Sequence, residues 1–574
     1  MSPDHPIVTT SLGKLQGARE AGVHLFRGIP FARPPVGGQR FGAPERPEPW
    51  TGVREATRFG AAASQTTKFL GPILRLGIRE TSEDCLTLNV WTPGLDGAGR
   101  PVMVWIHGGA FLLGAGSQTL YDGAALARRG NVVVVTVNYR LGVLGFLRLV
   151  NVCGAALPST GNEGLLDQIA ALEWVQAEIR GFGGDPDNVT ISGESAGAVS
   201  CAALLGAPRA RGLFRRAILQ SGSANYVSSA AEAKAMAERF LDEIDLAPGD
   251  AASLRAAPIR RLLAAQNRMV LGLFLPPQPP RPTLSLSLRS VLTNLFVVWM
   301  VLRRLRAGVR RGLRTLRAPL AVRAPSRVPF ARPRGLPLGP VVDGAVVPRH
   351  PFETIREGFA RDVSVLVGTT LEEMKLFGIL DPAAHTLTDA TLIARCEQVI
   401  PGADAHGLSH GRRAVDVYRA ARAARGMNTT PAELWYAIES DRTMRYPAMR
   451  LAELQSAHQA QTYAYLFTWR SPLWGGVLGA CHGLELPFVF GTLGHPVISR
   501  FSGSGPAAER LAEQIQDAWI AFVHTGSPGH SRIAEWPPYE PRRRATMILG
   551  PQVRQEDAPF EPERVFWESV DTDG

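Results

Sequence analysis

The residues best suited to chemistry lie in two short blocks framed by glycine. The first is Gly193-Glu194-Ser195-Ala196-Gly197, which follows the strand-like run VTIS and leads into the apolar run AVSCAALL. A serine at a sharp strand-to-helix turn presents its Oγ at the head of a helix, where developing negative charge is favoured. The turn strains the serine backbone, and side chains at 193 or 197 would clash with it. The second block is His107-Gly108-Gly109-Ala110-Phe111, directly after the run VMVWI. Glycines there let backbone N–H groups approach an oxyanion, the species formed when a nucleophile attacks an acyl carbon. In this order the two blocks point to acyl transfer by a serine.

These blocks need a rigid frame, and the sequence around them supplies one. Residues 101–106 (PVMVWI) and 131–137 (NVVVVTV) are short β-branched runs bounded by Gly and Asn, as in buried strands of a largely parallel sheet. Leu165, Leu166, Ile169, Leu172 and Val175 recur at helical spacing within 163–180. The turn cluster GFGGDPDN and the strand VTISG follow. Such alternation predicts an α/β sheet with helices on both faces.

The chain has 574 residues, 45% of them hydrophobic, enough for a large core without disulfide staples. Its net charge of +11 is unevenly placed. Between Asp250 and Asp343 there is no acidic residue, and 251–342 holds 17 arginines and no lysine. The remainder is therefore mildly acidic, and the basic balance describes one segment rather than the surface. Within 266–340, PPQPPRP breaks regular structure and 290–302 is almost continuously apolar. In the run that follows, Leu302, Leu305, Val309, Leu313 and Leu316 form a helical stripe opposite seven arginines. Three roles fit this segment: a lid beside the site, a seat on an anionic membrane surface through 290–317 as in a lipase-like esterase recruited to membranes, or charge-driven binding of nucleic acid or an acidic protein. The last lacks aromatic interleaving beyond Phe296 and Trp299, so no nucleic-acid partner is expected. The run of 13 residues between Arg289 and Arg303 is too short to span a bilayer. The N-terminal residues show no secretory pattern, and the five cysteines are widely spaced with no CxxC pair. The expected location is cytoplasmic, with peripheral contact at the inner membrane face as an option.

Beyond the two blocks, the chain resembles the type-B carboxylesterase/lipase family, the cholinesterase-like branch of the α/β-hydrolases. It is most similar to the bacterial p-nitrobenzyl-esterase-like carboxylesterases. The matching blocks are GIPFARPPVG (28–37), SEDCLTLNVWTP (82–93), VWIHGGAF (104–111), NYRLGVLGF (138–146), GNEGLLDQ (161–168), QSGS (220–223), GACHGLELPFVFG (479–491) and TGSPGHSRIAEWPPY (525–539). A further block, beginning at WV (174) and ending FGGDPDNVTISGESAG, closes at 197. They span nearly the whole chain apart from 266–340. The resemblance implies a single α/β-hydrolase domain over 1–574, its central mostly parallel sheet flanked by helices, with 266–340 as a large basic insertion. It implies a serine carboxylic-ester hydrolase with no cofactor and no metal, acting on small, hydrophobic, uncharged esters.

The resemblance also implies the remaining site residues. GACHGLELPFVFG places the base at His482. The block 368–373 carries the acid, with the register favouring Glu373 over Glu372; the family usually has glycine next, where this chain has Met374. Ser195, Glu373 and His482 then stand in nucleophile–acid–base order. The N–H groups of Gly109, Ala110 and Ala196 are the expected oxyanion donors, Ala110 replacing a frequent glycine. Glu194 either tunes the field around His482 or is a hydrogen-bonded structural carboxylate. Cys85 matches a cysteine that is disulfide-bonded in secreted relatives, but its partner position near 64 holds Ser64, so that bridge is absent. Cys481 reads as a packing residue. A rival class is a non-catalytic binding protein on the same fold; the presence of Ser195, His482 and a candidate acid weighs against it.

Overall fold

The computed structural model describes residues 5–66, 77–274, 336–533 and 535–572. The chain divides into two compact units, 1–269 with 333–574, and 270–332. Of the second, only 270–274, the last residues of a helix, are described. The expectations for 290–317 lie outside the described residues.

The main sheet has 11 strands. In chain order they are β1 (Ala18–Glu20), β2 (Val23–Pro30), β3 (Thr87–Thr92), β4 (Arg100–Ile106), β5 (Val133–Val137), β6 (Gly184–Glu194), β7 (Arg216–Gln220), β8 (Ser364–Thr370), β9 (Thr462–Phe467), β10 (Ala545–Leu549) and β11 (Arg554–Asp557). Their spatial order is β1-β2-β3-β5-β4-β6-β7-β8-β9-β10-β11. From β5 through β10 every pairing is parallel, and antiparallel strands close both ends. The central strands are buried along their whole length, which is why PVMVWI and VVVTV read as continuous apolar runs. The one swap in order, β5 outside β4, puts β4 beside β6. Sites in such sheets form beyond the carboxyl ends of the strands.

Five helices matter to the site: α1 (Glu163–Glu178), α2 (Ala196–Leu205), α3 (Ile259–Phe274), α4 (Tyr446–Ser456) and α5 (Pro506–Thr525). α1 buries the predicted stripe, Leu165, Leu166, Ile169, Leu172 and Val175. The turn residues GDPDN (184–188) are absorbed into the start of β6 as an irregularity, since the β6–β4 register shifts between Gly184 and Val189. Tyr463, Tyr465 and Phe467 of β9 pack into one core with Trp519 of α5. Ala464 and Leu466, on the alternate face, line a space with Ala448 of α4. α3 crosses position 266: Gln266 is buried, and its Oε1 accepts from Val143 N at 2.9 Å.

Candidate active site

The serine turn is built by close approach. β6 ends at Glu194 and α2 begins at Ala196, leaving Ser195 between them at φ 55°, ψ −121°. A Cβ on Gly193 would lie 2.4 Å from Gly197 C, and one on Gly197 would lie 2.0 Å from Ile106 O. Neither position can hold a side chain without moving backbone. The strained residue is pinned by Ser195 N donating to Gln220 O at 2.8 Å, and Val199 N donates to Ser195 O at 3.0 Å.

The loop after β4 folds over this turn. A Cβ on Gly108 would lie 2.7 Å from Glu194 O and 3.1 Å from Ser195 Cβ, so only glycine lets the loop come this close. Gly109 (φ 111°) and Ala110 (φ 56°) follow with left-handed backbone. Among the described residues, the N–H groups of Gly109, Ala110 and Ala196 donate to no protein acceptor. They remain free for an incoming oxyanion. His107 is scaffold: it is buried, stacks on Tyr139 at 4.5 Å, and its carbonyl accepts from Tyr139 Oη at 2.7 Å. Burial pushes its imidazole down to about 4, so it is neutral and its Nδ1, 2.8 Å from Gly108 O, is the donor.

The two glutamates left open by the sequence take different partners. Glu373 is fully buried; its Oε2 lies 2.6 Å from His482 Nδ1, and its Oε1 accepts from Thr370 N at 2.7 Å. Glu372 instead accepts from Ala480 N at 2.8 Å and pairs with Lys375 at 2.7 Å. Its own N–H donates to Ala480 O at 2.9 Å. Glu372 thus ties the histidine loop to the end of β8, and Glu373 faces the imidazole. Met374 does not disturb this arrangement: its N–H donates to Ser440 Oγ at 3.1 Å, and its side chain packs on a separate apolar core.

The far side of His482 faces acid too. His482 Nε2 lies 3.0 Å from Glu194 Oε1, a close charge contact without the alignment of a hydrogen bond. Among the described residues the Ser195 hydroxyl has no hydrogen-bond partner. His482 is therefore met by Glu373 on one side and by Glu194, the residue before Ser195, on the other, and no serine–histidine hydrogen bond is formed. Burial alone would push the His482 imidazole down; the charges of Glu194 and Glu373 outweigh it and hold it well above its ordinary value.

Sequence reasoning passed over Glu485. It is completely buried, its Oε1 accepts from Gln220 Nε2 at 3.2 Å, and its Oε2 has no partner. Burial, then the charges of Glu194 and Glu373, push its carboxyl up to about 8. Trp519 Nε1 in turn donates to Gln220 Oε1 at 3.1 Å. A lone carboxylate inside the apolar run LELPFVF was the available signal. Phe377, whose ring centroid is 5.2 Å from that of His482, was also missed. It is more than a third exposed, an apolar wall beside the base. Cys481 is buried and its thiol is pushed up by that burial, as suits a packing residue. Among the described residues no cluster of His, Cys, Asp and Glu is arranged to hold a metal ion, and no helix is long and apolar enough to cross a membrane.

Comparisons with known proteins find esterases and related ester hydrolases. The Carboxylesterase family model matches residues 4–282 and 317–567. The unmatched stretch falls inside the arginine-rich segment. The para-nitrobenzyl esterase of Bacillus subtilis (strain 168) is 36% identical over 560 residues, covering 98% of each chain. The phenmedipham hydrolase of Pseudarthrobacter oxydans is 34% identical over 557 residues, covering 95% of each. A crystal structure of a Geobacillus stearothermophilus carboxylesterase superposes with a TM-score of 0.77 at 37% identity, covering 98% of this chain and 99% of its own.

Proposed function

The chain belongs to the carboxylesterase family and is a serine carboxylic-ester hydrolase, and on that premise we propose that Ser195 is its nucleophile, His482 its base and Glu373 the acid that orients the base. The observation carrying this assignment is the 2.6 Å contact between Glu373 Oε2 and His482 Nδ1 beside a serine held at positive φ.

In the proposed cycle, an ester enters with its carbonyl oxygen toward the N–H groups of Gly109, Ala110 and Ala196. The neutral imidazole turns its Nε2 from Glu194 to Ser195 Oγ and takes the hydroxyl proton as Oγ attacks the carbonyl carbon. The contact with Glu373 fixes the proton on Nδ1 and stabilises the imidazolium that forms. Each oxyanion donor contributes about 3 kcal/mol in comparable sites. The imidazolium then returns its proton to the leaving alkoxide, and the same steps with water release the acid. Slack between base and nucleophile is common in unliganded sites and closes on substrate.

Hydrophobic, uncharged esters are the proposed substrates. Phe377 beside His482 supports this, as do the relatives named for a p-nitrobenzyl ester and for phenmedipham. Cytoplasmic residence is supported by five buried, unpaired cysteines. Peripheral contact of 290–317 with anionic lipid is supported by the arginine spacing alone.

The test is rapid mixing with a short-chain p-nitrophenyl ester, followed by labelling with an organophosphonate. We expect a burst of p-nitrophenol equal to the enzyme concentration and a phosphonyl adduct on the peptide bearing Ser195. Turnover with the label on another residue would remove Ser195 from the assignment. Folded protein without any turnover would remove the whole triad.

A further inference from the structure

An oxyanion hole works when its donors stand in place before the ester arrives. The loop that carries them here is strained: Gly109, Ala110 and Phe111 have φ values of 111°, 56° and 59°, and two of the three are not glycine. Such backbone persists only where its surroundings hold it. Within the loop, Leu112 N and Leu113 N each donate to Gly109 O at 3.0 Å. The other holds come from outside. At Gly114 the buried amide of Gln65 grips the backbone twice: Nε2 donates to Gly114 O at 2.7 Å, and Oε1 accepts from Gly114 N at 2.9 Å.

Phe111 is fastened twice to the helical turn Gly142–Phe146. Gly142 N donates to Phe111 O at 2.6 Å, and the Phe111 and Phe146 rings pack with centroids 4.6 Å apart. Gly142 is itself at φ 56°, and a Cβ there would lie 1.9 Å from Gln266 Oε1. That same oxygen accepts from Val143 N at 2.9 Å. Through Met269 the buried face of α3 carries Leu262, Ala265 and Met269, with Gln266 as its one polar residue. Burying an amide costs free energy that burying leucine would not, and the hydrogen bond to Val143 offsets that cost. The amide is thus placed for what it holds.

We propose that Gln266 is a positioning residue for ester hydrolysis: its amide fixes the Gly142–Val143 turn, and the turn holds Phe111 O so that the N–H groups of Gly109 and Ala110 stay aimed at the oxyanion. The amide touches no substrate and acts only through this backbone relay. Without the acceptor, Val143 N is left unpaired in a buried turn, the turn shifts to repair that, and the hydrogen bond to Phe111 O shifts with it. The loop then relaxes toward less strained backbone, and donor aim is lost while the fold remains. This role rests on the proposed esterase cycle and deepens it.

The experiment uses the full chain and a short alkyl trifluoromethyl ketone. Ser195 Oγ adds to the ketone carbon, the hydroxyl proton passes to His482, and the carbonyl oxygen becomes a hemiketal oxyanion in the hole. Gln266→Met keeps the length of the side chain and removes the acceptor. It should lower kcat and weaken the ketone by the same factor, about tenfold, with KM unchanged. Gln266→Glu keeps an acceptor oxygen and should recover both. Leu262→Ala, on the same buried face of α3, should lower the melting temperature yet leave the ratio of ketone Ki to KM at its wild-type value. Should Gln266→Met not fold, Gln266→Asn, which withdraws the amide by one methylene, is read in its place with the same expectation. Wild-type kcat and ketone affinity in the Gln266 variant overturn the proposal, and so does an equal change of ratio in Leu262→Ala. Wild type that the ketone does not inhibit overturns the esterase cycle beneath it, a failure seen before any variant is made.

Discussion

Two buried charged clusters in this molecule are built on opposite plans. Around Arg140 and Asp167, 2% and 0% exposed, every demand is met. Asp167 Oδ2 accepts from Arg140 N and Nε at 3.0 and 2.8 Å, and Oδ1 accepts from Nη2 at 2.7 Å. Arg140 Nη1 donates to Gly42 O at 2.6 Å. Around His482 two carboxylates, Glu194 and Glu373, share one imidazole, a third acid, Glu485, feels the charge of both, and oxygens of Glu194 and Glu485 lack hydrogen bonds. A satisfied buried pair locks a loop in one geometry and has no reason to exchange protons. A cluster with more acid than base and unmade hydrogen bonds keeps free energy available for proton transfer. Both places are buried; satisfaction is what differs.

That contrast predicts variants that fail in different ways. Ser195→Ala should lower kcat about a million-fold, with an unchanged melting temperature; residual turnover within a factor of ten of wild type would place the nucleophile elsewhere. Glu373→Gln should cost about 10⁴-fold in kcat with the fold retained. Glu372→Gln, which leaves the imidazole contact alone, should cost far less; equal losses would blur the distinction between the two glutamates. At the satisfied cluster, Asp167→Asn should destabilise the fold by about 3–5 kcal/mol, read by urea denaturation, because Arg140 would keep its charge without its partner. The folded fraction should hydrolyse ester at the wild-type rate.

The smaller effects are pH effects. His482 works as a base only when neutral, so kcat/KM rises with pH as it loses its proton. Glu194 raises the imidazole, so Glu194→Gln should move the acid limb of kcat/KM to lower pH by about one unit. A limb that stays in place would make Glu194 structural. Glu485 keeps its proton up to about 8 in the folded state against an ordinary 4.5. Between those values the folded state binds more protons than the unfolded chain, so this group makes stability fall as pH rises. Glu485→Gln should remove that slope, seen as a urea midpoint that gains on wild type between about pH 5 and pH 8.

Much of the site was legible before folding was considered. Gly193, Gly197 and Gly108 are required by backbone approaches of 2.0–2.7 Å, and a requirement that steric leaves a trace in residue type. The preference for Glu373 over Glu372 rested on the register of the resemblance alone, because adjacent carboxylates have the same chemistry and differ only in direction. Glu194 was left open for the same reason. Glu485 and Phe377 went unnoticed because a buried acid and an apolar wall have no motif of their own.

What the sequence determined by itself was local. The strand–turn–helix around Ser195, the glycine loop after β4 and the alternation that builds a parallel sheet follow from neighbouring residues and their steric limits. Only the tertiary structure decided which carboxylate meets the base. Glu373 and His482 are separated by 109 positions in the chain. Their 2.6 Å contact exists because β8 and β9 lie side by side, and because Glu372 fastens the histidine loop to the end of β8. A contact of that kind depends on the register of distant strands, which no single stretch of sequence encodes.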